Sequence, residues 1–337
     1  MTTIPVPARD GASNEAALAA LMETAARQHA EPLWPVISQL ATAGPKPRAV
    51  PHVWDFATMR PLCAQAAELV GTEYAERRVF SLINPALQNP FTTDTLYAGL
   101  QTILPGEVAR AHRHTIFALR FIMEGSRAYT SVEGEKLMMT PGDVILTPQM
   151  EWHDHGNEGD AIMIWMDGLD HPLWRTIPLV FADHYASSQY PSALPERESV
   201  RRYPWAEKAA ALDAIAGPTA EVRYVHRGPG GGDIGATIGA SALRIDAGAS
   251  TKPLRETSSS IINVYAGKGT VTVGDTVLPF ERGDILAIPA WKTVTIASDP
   301  STRSYLFRMD DKPLVRAINA YRSDDGNGNW IEDGLPR

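Results

Sequence analysis

Four of the nine histidines in this chain form two pairs, His112-Arg113-His114 and His153-Asp154-His155. Side chains two apart on a strand point to the same face, so each pair can aim both rings into one cavity. A neutral imidazole is the commonest protein ligand for a transition metal. The surrounding segments are apolar and β-rich, with Gly-Asp and Val-Glu-Gly turns between them. Three or four histidines converging from two strands describe a site for one metal ion. A lone His-x-His is more often a pair of satisfied core residues, so the spacing must carry the argument.

Gly106 is followed after five residues by His112-x-His114, and Gly142 by Pro148, His153 and Asn157 at intervals of five, four and three intervening residues. These runs resemble the two halves of the cupin signature, which implies an antiparallel barrel with ligands on inward faces. The usual glutamate after the His-x-His is absent: Ala118 and Leu119 stand there, and the first carboxylate is Glu124. Met150 replaces the usual glycine after the proline. The reading is a site of His112, His114 and His153 without an anionic protein ligand. A divalent metal on three neutral ligands keeps its full charge, and up to three open positions if octahedral, which favours a chelating anionic substrate. Imidazole suits Zn, Cu, Fe and Ni, so this ligand set alone does not name the metal.

Strands must position these groups. Tyr97, Gly99 and Gln101 share one parity, and so do His112, His114 and Arg120 if the strand is unbroken. A buried unpaired guanidinium is costly, so Arg120 needs an acid or an anionic ligand. Asp167, which shares a face with Trp165, is a candidate partner; a purely structural ion pair is the alternative. Before this barrel, residues 1–12 read as unstructured, Ser13 to Leu40 as a helix capped by Ser13, and Ala57 to Val70 as a second helix. Cys63, the sole cysteine, falls in that helix and reads as a buried structural thiol.

The expected organisation is a helical arm (1–70), a metal-binding barrel (71–190), a linker with a short helix at Glu207–Ile215 (191–225), a second barrel (226–310), and a C-terminal helix and tail (311–337). The glycines of RYVHRGPGGGDIGATIGA lack the order of a phosphate loop and read as a loop between domains. The second barrel repeats the first: Gly248 answers to Gly106, Gly283-Asp284 to Gly142-Asp143, and Pro289 to Pro148. Its ligands are gone, with Pro253 or Leu254 in place of the first histidine and Trp291-Lys292 in place of Trp152-His153. The fold class is mainly β, two tandem barrels with the second degenerate.

The length of 337 residues accommodates two domains, and 44% hydrophobic and 21% charged residues are ordinary for a globular protein. A net charge of -8 argues against nucleic acid or an anionic membrane as partner. No apolar run approaches a spanning helix, and MTTIPVPARDGASNE does not read as a secretory signal. With a single cysteine, these features point to a soluble cytoplasmic protein.

The run AHRHTxxALRFxxEG, with TPxxxWHDHGNEG and WMDGLD, resembles the gentisate 1,2-dioxygenase family, which includes salicylate, 1-hydroxy-2-naphthoate and 5-nitrosalicylate dioxygenases. The resemblance extends from about Trp34 to Tyr321 and is densest in the first barrel. It implies Fe(II) on His112, His114 and His153, and O2-dependent cleavage between C1 and C2 of a salicylate-type acid. It further implies that Arg120 binds the carboxylate, that Gln101 and His155 sit near substrate and oxygen, and that Asp167 belongs to the pocket. Arg77 or Arg78 matches a further pocket arginine, both remaining open. Family members are usually homotetramers, sometimes dimers. Tyr97 stands where many members have Trp, and Ile116-Phe117 where a polar pair is commoner. Gly99 and Tyr97 are therefore expected to leave room for gentisate or a bulkier 5-substituted salicylate such as 5-nitrosalicylate. Two other classes share these features, a non-catalytic cupin that senses small acids and a zinc-dependent cupin isomerase. The ligand trio with Arg120 disfavours the first; the missing glutamate and WHDHGNEG disfavour the second.

Overall fold

The computed structural model describes residues 11–40, 42, 44–71 and 74–332. The chain divides into two units, residues 1–46 and 47–337. The first contains α1 (Gly11–Arg27) and α2 (Ile37–Leu40). The single helix expected from Ser13 to Leu40 is interrupted after Arg27, where His29 takes a left-handed φ of 54° that α-helix cannot continue. Ser13 is the third residue of α1 rather than the residue before it. The rest of the stretch read as unstructured, residues 1–10, lies outside the described residues.

The second unit is one pattern built twice. Its first copy runs through β1 (His52–Trp54), α3 (Phe56–Leu69), β2 (Arg78–Ser81), β3 (Tyr97–Ile103), β4 (Val108–His114), β5 (Ala118–Glu124), β6 (Ala128–Val132), β7 (Glu135–Met138), β8 (Val144–Thr147), β9 (His153–Asn157), β10 (Met163–Leu169) and α4 (His171–Thr176). After β11 (Ala182–His184), the second runs through β12 (Arg202–Tyr203), α5 (Trp205–Ala214), β13 (Thr219–Arg223), β14 (Gly239–Ile245), β15 (Arg255–Glu256), β16 (Ser260–Ala266), β17 (Gly269–Val273), β18 (Thr276–Phe280), β19 (Ile285–Ile288), β20 (Val294–Ser298), β21 (Ser304–Asp310) and α6 (Lys312–Ala317). Beyond α6, where a polar tail was expected, β22 (Ser323–Asp324) and β23 (Trp330–Glu332) form a small sheet with β15.

In the first barrel, a sheet ordered β12-β8-β5-β10-β3-β2 accompanies one ordered β11-β4-β9-β6-β7. The second has β1-β19-β16-β21-β14-β13 and β18-β17-β20. The strand preceding each barrel is exchanged: β1 pairs with β19 of the second barrel, and β12 with β8 of the first. The helices follow suit. Asp284 accepts the N–H of Phe56 at 2.9 Å, and Asp143 that of Trp205 at 3.0 Å. Residues 47–70, read as part of an arm, therefore belong to the barrel unit, and residues 191–225, read as a linker, supply β12, α5 and β13. The glycine-rich loop joins β13 to β14 within the second repeat, with Gly235 against Phe117.

Both faces of the central strands are buried, so they read as continuous apolar runs. On β5, Leu119 and Phe121 belong to the core between the barrels, while Ile122 belongs to the first barrel's own core. Phe121 stacks on Phe307 with centroids 4.5 Å apart. Two related carboxylates clasp the barrels together: Asp170 accepts from Thr237 at 2.7 Å, and Asp311 accepts from Thr95. Cys63 is fully buried, as expected. Among the described residues, no helix is long and apolar enough to cross a membrane.

Candidate active site

His112 and His114 end β4, and His153 begins β9; antiparallel pairing sets His112 opposite His153. One ligand nitrogen from each of the three lies within 4.8 Å of the others. The rings are 4.2 Å (His112–His153), 5.1 Å (His112–His114) and 5.0 Å (His114–His153) apart between centroids. Backbone carbonyls fix two orientations: His114 Nδ1 donates to Ile116 O at 2.8 Å, and His153 Nδ1 to Glu151 O at 2.9 Å. Each Nε2 then keeps its lone pair. His153 Nε2 is buried with no partner, a costly arrangement that a bound cation resolves. Burial, with Arg77 and His114 beside it, lowers the pKa of His112 to about 2, and burial lowers that of His114 to about 4. His153 is driven well below the ordinary histidine range, again chiefly by burial. All three are neutral at pH 7, the form that binds metal.

Among the described residues, this trio is the group of histidine, cysteine and carboxylate side chains placed to share an ion. Glu124, the first carboxylate after the His-x-His, faces away and pairs with Arg60 at 2.6 Å. Ala118 presents a methyl group to the cavity instead. The donors therefore fit a divalent transition metal with no protein anion.

The second barrel shows what replaced the ligands. Leu254 bridges Val294 as His112 pairs with His153. Of the two residues considered, Leu254 is thus the counterpart of His112. The counterpart of His153 is Val294, not Lys292, because β20 starts five residues after Pro289 as β9 starts five after Pro148. Glu256, two residues beyond Leu254, is held by Lys312 Nζ at 2.9 Å and Tyr321 Oη at 2.9 Å.

Beside the trio lies a cavity of about 330 Å³. Arg77, Gln101, Arg120 and Asp167 line its charged end; Pro90, Tyr97, Leu169 and His171 line the other. Arg120 is 4% exposed, its Nε 3.2 Å from Asp167 Oδ1, and its Nη1 donates to Thr147 Oγ1 at 2.8 Å. The Nε contact is an ion pair without hydrogen-bond alignment. Asp167 also accepts from Trp165 Nε1 at 3.0 Å. Burial raises its carboxyl pKa, while Arg120 and Trp165 pull it back. Two guanidinium groups and one carboxylate leave one excess positive charge for an anion. Burial and Arg120 lower Arg77 to about 10, so it stays charged.

Arg77 Nη2 donates to Arg110 O at 2.8 Å and lies 2.6 Å from His112 Nδ1. Ligation through His112 Nε2 leaves a proton on Nδ1, so Arg110 O is then the shared acceptor and the 2.6 Å approach joins two donors. Arg78, the other candidate, faces away: it pairs with Glu107 and donates to Val70 O at 2.8 Å. Parity could have distinguished them, since Arg77, Val79 and Ser81 share the face that lines the cavity.

Gly99 does not open the wall. A Cβ there would lie 2.6 Å from Tyr97 Oη and 2.6 Å from Val79 Cγ1, because the Tyr97 ring folds across it. Ser81 Oγ holds that hydroxyl at 2.9 Å. His155 is fully buried, with Nδ1 3.0 Å from Thr130 Oγ1 and Nε2 unpartnered. It stands beside His153 and Trp165, outside the residues that line the cavity. Leu169 and His171 were missed; Leu169 continues the parity of Trp165 and Asp167 on β10, whereas His171 lies past the strand's end, at the start of α4.

Residues 99–169 match the family model described as "Cupin domain". Gentisate 1,2 dioxygenase 1 of Aquipseudomonas alcaligenes is 33% identical over 319 residues, covering 86% of this chain and 91% of that enzyme. The 5-aminosalicylate 1,2-dioxygenase of Comamonas sp is 32% identical over 335 residues, covering 90% and 89%. The crystal structure of a salicylate 1,2-dioxygenase from Pseudaminobacter salicylatoxidans superposes with a TM-score of 0.85 at 30% identity, covering 95% of this chain and 100% of that one.

Proposed function

The chain belongs to the gentisate/salicylate 1,2-dioxygenase family of cupin enzymes, and from that premise we propose that it is an Fe(II) enzyme acting on gentisate or another 5-substituted salicylate. It is a ring-cleaving dioxygenase of salicylate-type acids. The observation that carries the finer reading is a trio of neutral imidazoles that opens, through His112 and His114, on a cavity lined by two guanidinium groups. His112, His114 and His153 would hold the iron. When bound, it supplies the redox chemistry by which O2 is added across the C1–C2 bond.

The chain's own groups bind and orient. Arg120 takes the substrate carboxylate, and Asp167 and Thr147 hold the guanidinium in place. Arg77 adds a second positive charge at the same end. The Gln101 side chain has no hydrogen bond elsewhere among the described residues and can bond to the acid. His155, fully buried beside His153 and Trp165 and outside the cavity lining, supports the metal site from behind rather than meeting the phenol. The walls of Val79, Pro90, Ile116 and Leu169 keep water from the ring. A homo-oligomer, first expected as a tetramer, is read by light scattering.

The test is oxygen uptake by Fe(II)-loaded protein with gentisate, salicylate, 5-aminosalicylate and 5-nitrosalicylate. One O2 should be consumed per acid ring lost. No uptake with any of them refutes the proposal.

A further inference from the structure

The end of the cavity remote from the arginines contains one polar side chain that spends no hydrogen bond. Ser81 and Tyr97 satisfy each other there at 2.9 Å. His171, the first residue of α4, is half-buried and lines the same wall. Its ring meets Phe91 edge-on at 5.7 Å and Tyr97 at 6.1 Å between centroids. Among the described residues, neither of its ring nitrogens has a hydrogen-bond partner. Burial and the charge of Arg175 lower its pKa, so the ring is neutral at pH 7 and offers one donor and one acceptor.

Strand register orders the cavity lining up to Leu169, and the ring contact with Tyr97 places His171 beyond it. Asp167 lies level with Arg120 and Gly99, and Leu169 with Ala118 and Tyr97. One such step is about 7 Å along the strand; β10 ends at Leu169, and His171, the first residue of α4 beyond the N-cap Asp170, lines the same wall past it. An aromatic acid whose carboxylate sits at Arg120 directs its ring past Tyr97 and Leu169. A group on the ring edge remote from the carboxylate then arrives at His171.

We infer that His171 is a specificity-determining residue that hydrogen-bonds a polar substituent on the remote edge of the substrate ring. The inference rests on the proposed ring cleavage of salicylate-type acids. A site built to bond such a group discriminates against a ring lacking it, because the imidazole is then left without a partner. Hydroxyl, amino and nitro groups can each use one of its nitrogens.

The experiment compares wild type, His171→Leu and His171→Gln in two arms. The first measures kcat/KM on gentisate, 5-aminosalicylate and salicylate. The second titrates the same acids calorimetrically under nitrogen, which needs no turnover. The ratio of gentisate to salicylate should fall roughly three- to tenfold in His171→Leu, the worth of one hydrogen bond. The loss should appear in KM and in the anaerobic Kd, with His171→Gln recovering part of it. A ratio unchanged within about twofold in both arms overturns the inference, as does wild type that binds none of these acids. Wild type that binds the acids but consumes no O2 refutes the ring-cleavage reading instead, and the titration still decides His171.

Discussion

Gly99→Ala tests the cavity wall with one methyl group. The new Cβ would sit 2.6 Å from both Tyr97 Oη and Val79 Cγ1, where ordinary contact begins at 3.4 Å, so about 0.8 Å must be found on each side. Gly99 is fixed between Ser81 on β2 and Asp167 on β10, which leaves the backbone little freedom to retreat. The side chains must give way, and Tyr97 moves most readily because its contact is the far end of the ring. Overpacking of this kind costs about 1–3 kcal/mol, and losing the Ser81–Tyr97 bond adds about 0.5–1.5 kcal/mol. A stability loss of roughly 1.5–4.5 kcal/mol in urea melts is the expectation. A displaced Tyr97 narrows the passage toward Leu169 and His171, so kcat/KM should fall more for 5-substituted acids than for salicylate. Tyr97→Phe in the same background removes one of the two short contacts and should restore part of the stability. The cycle of single and double variants isolates that coupling. Gly99→Ala with wild-type stability and an unchanged substrate profile would refute this account of the wall.

Three further outcomes follow from the site. Elemental analysis should find at most about one metal per chain, lost in His112→Ala; two tightly held metals would contradict the assignment to the first barrel. Arg120→Lys keeps the buried charge beside Asp167 but cannot match a carboxylate with two prongs. It should retain metal while kcat/KM falls at least about tenfold, the scale of one charge-assisted contact; wild-type kcat/KM would sink the role. Finally, His114 in the folded chain titrates near 4, below its unfolded value, so it holds fewer protons folded than unfolded between about pH 6.5 and 4. Its share of stability is intact above that window and declines on acidification by about 1.4 kcal/mol per pH unit. Buried Asp154 and Asp311, both near 6, act in the opposite sense. The measurement is therefore the difference between metal-free wild type and His114→Leu at pH 7 and pH 5. A difference that does not change with pH would refute it.

Much of the site was legible in the chain because a strand alternates faces with period two. His112 and His114, Tyr97 and Gln101, and Trp165 and Asp167 were placed by parity, and the structure keeps each pair together, while Arg120 reaches the same cavity from a separate strand, β5. Their types announced a neutral metal site next to an anion-binding charge before any fold was known. The Gly-Asp turns and prolines likewise marked the second barrel as a copy, since turn chemistry is local. What alternation does not encode is which partner a strand chooses. The exchange of β1 and β12 between barrels depends on contacts far apart in the chain, Asp284 with Phe56 (228 residues) and Asp143 with Trp205 (62 residues), so those segments looked like an arm and a linker. The same limit governed Gly99. A missing side chain reads as space in a sequence, but whether that space is empty depends on how neighbouring side chains fold over it. Tyr97 fills it because Ser81, brought alongside by strand pairing, holds its hydroxyl there. Arg77 and Arg78, adjacent in the chain, take opposite faces by parity, and the pairing of β2 with β3 turns the face of Arg77, Val79 and Ser81 toward the histidines.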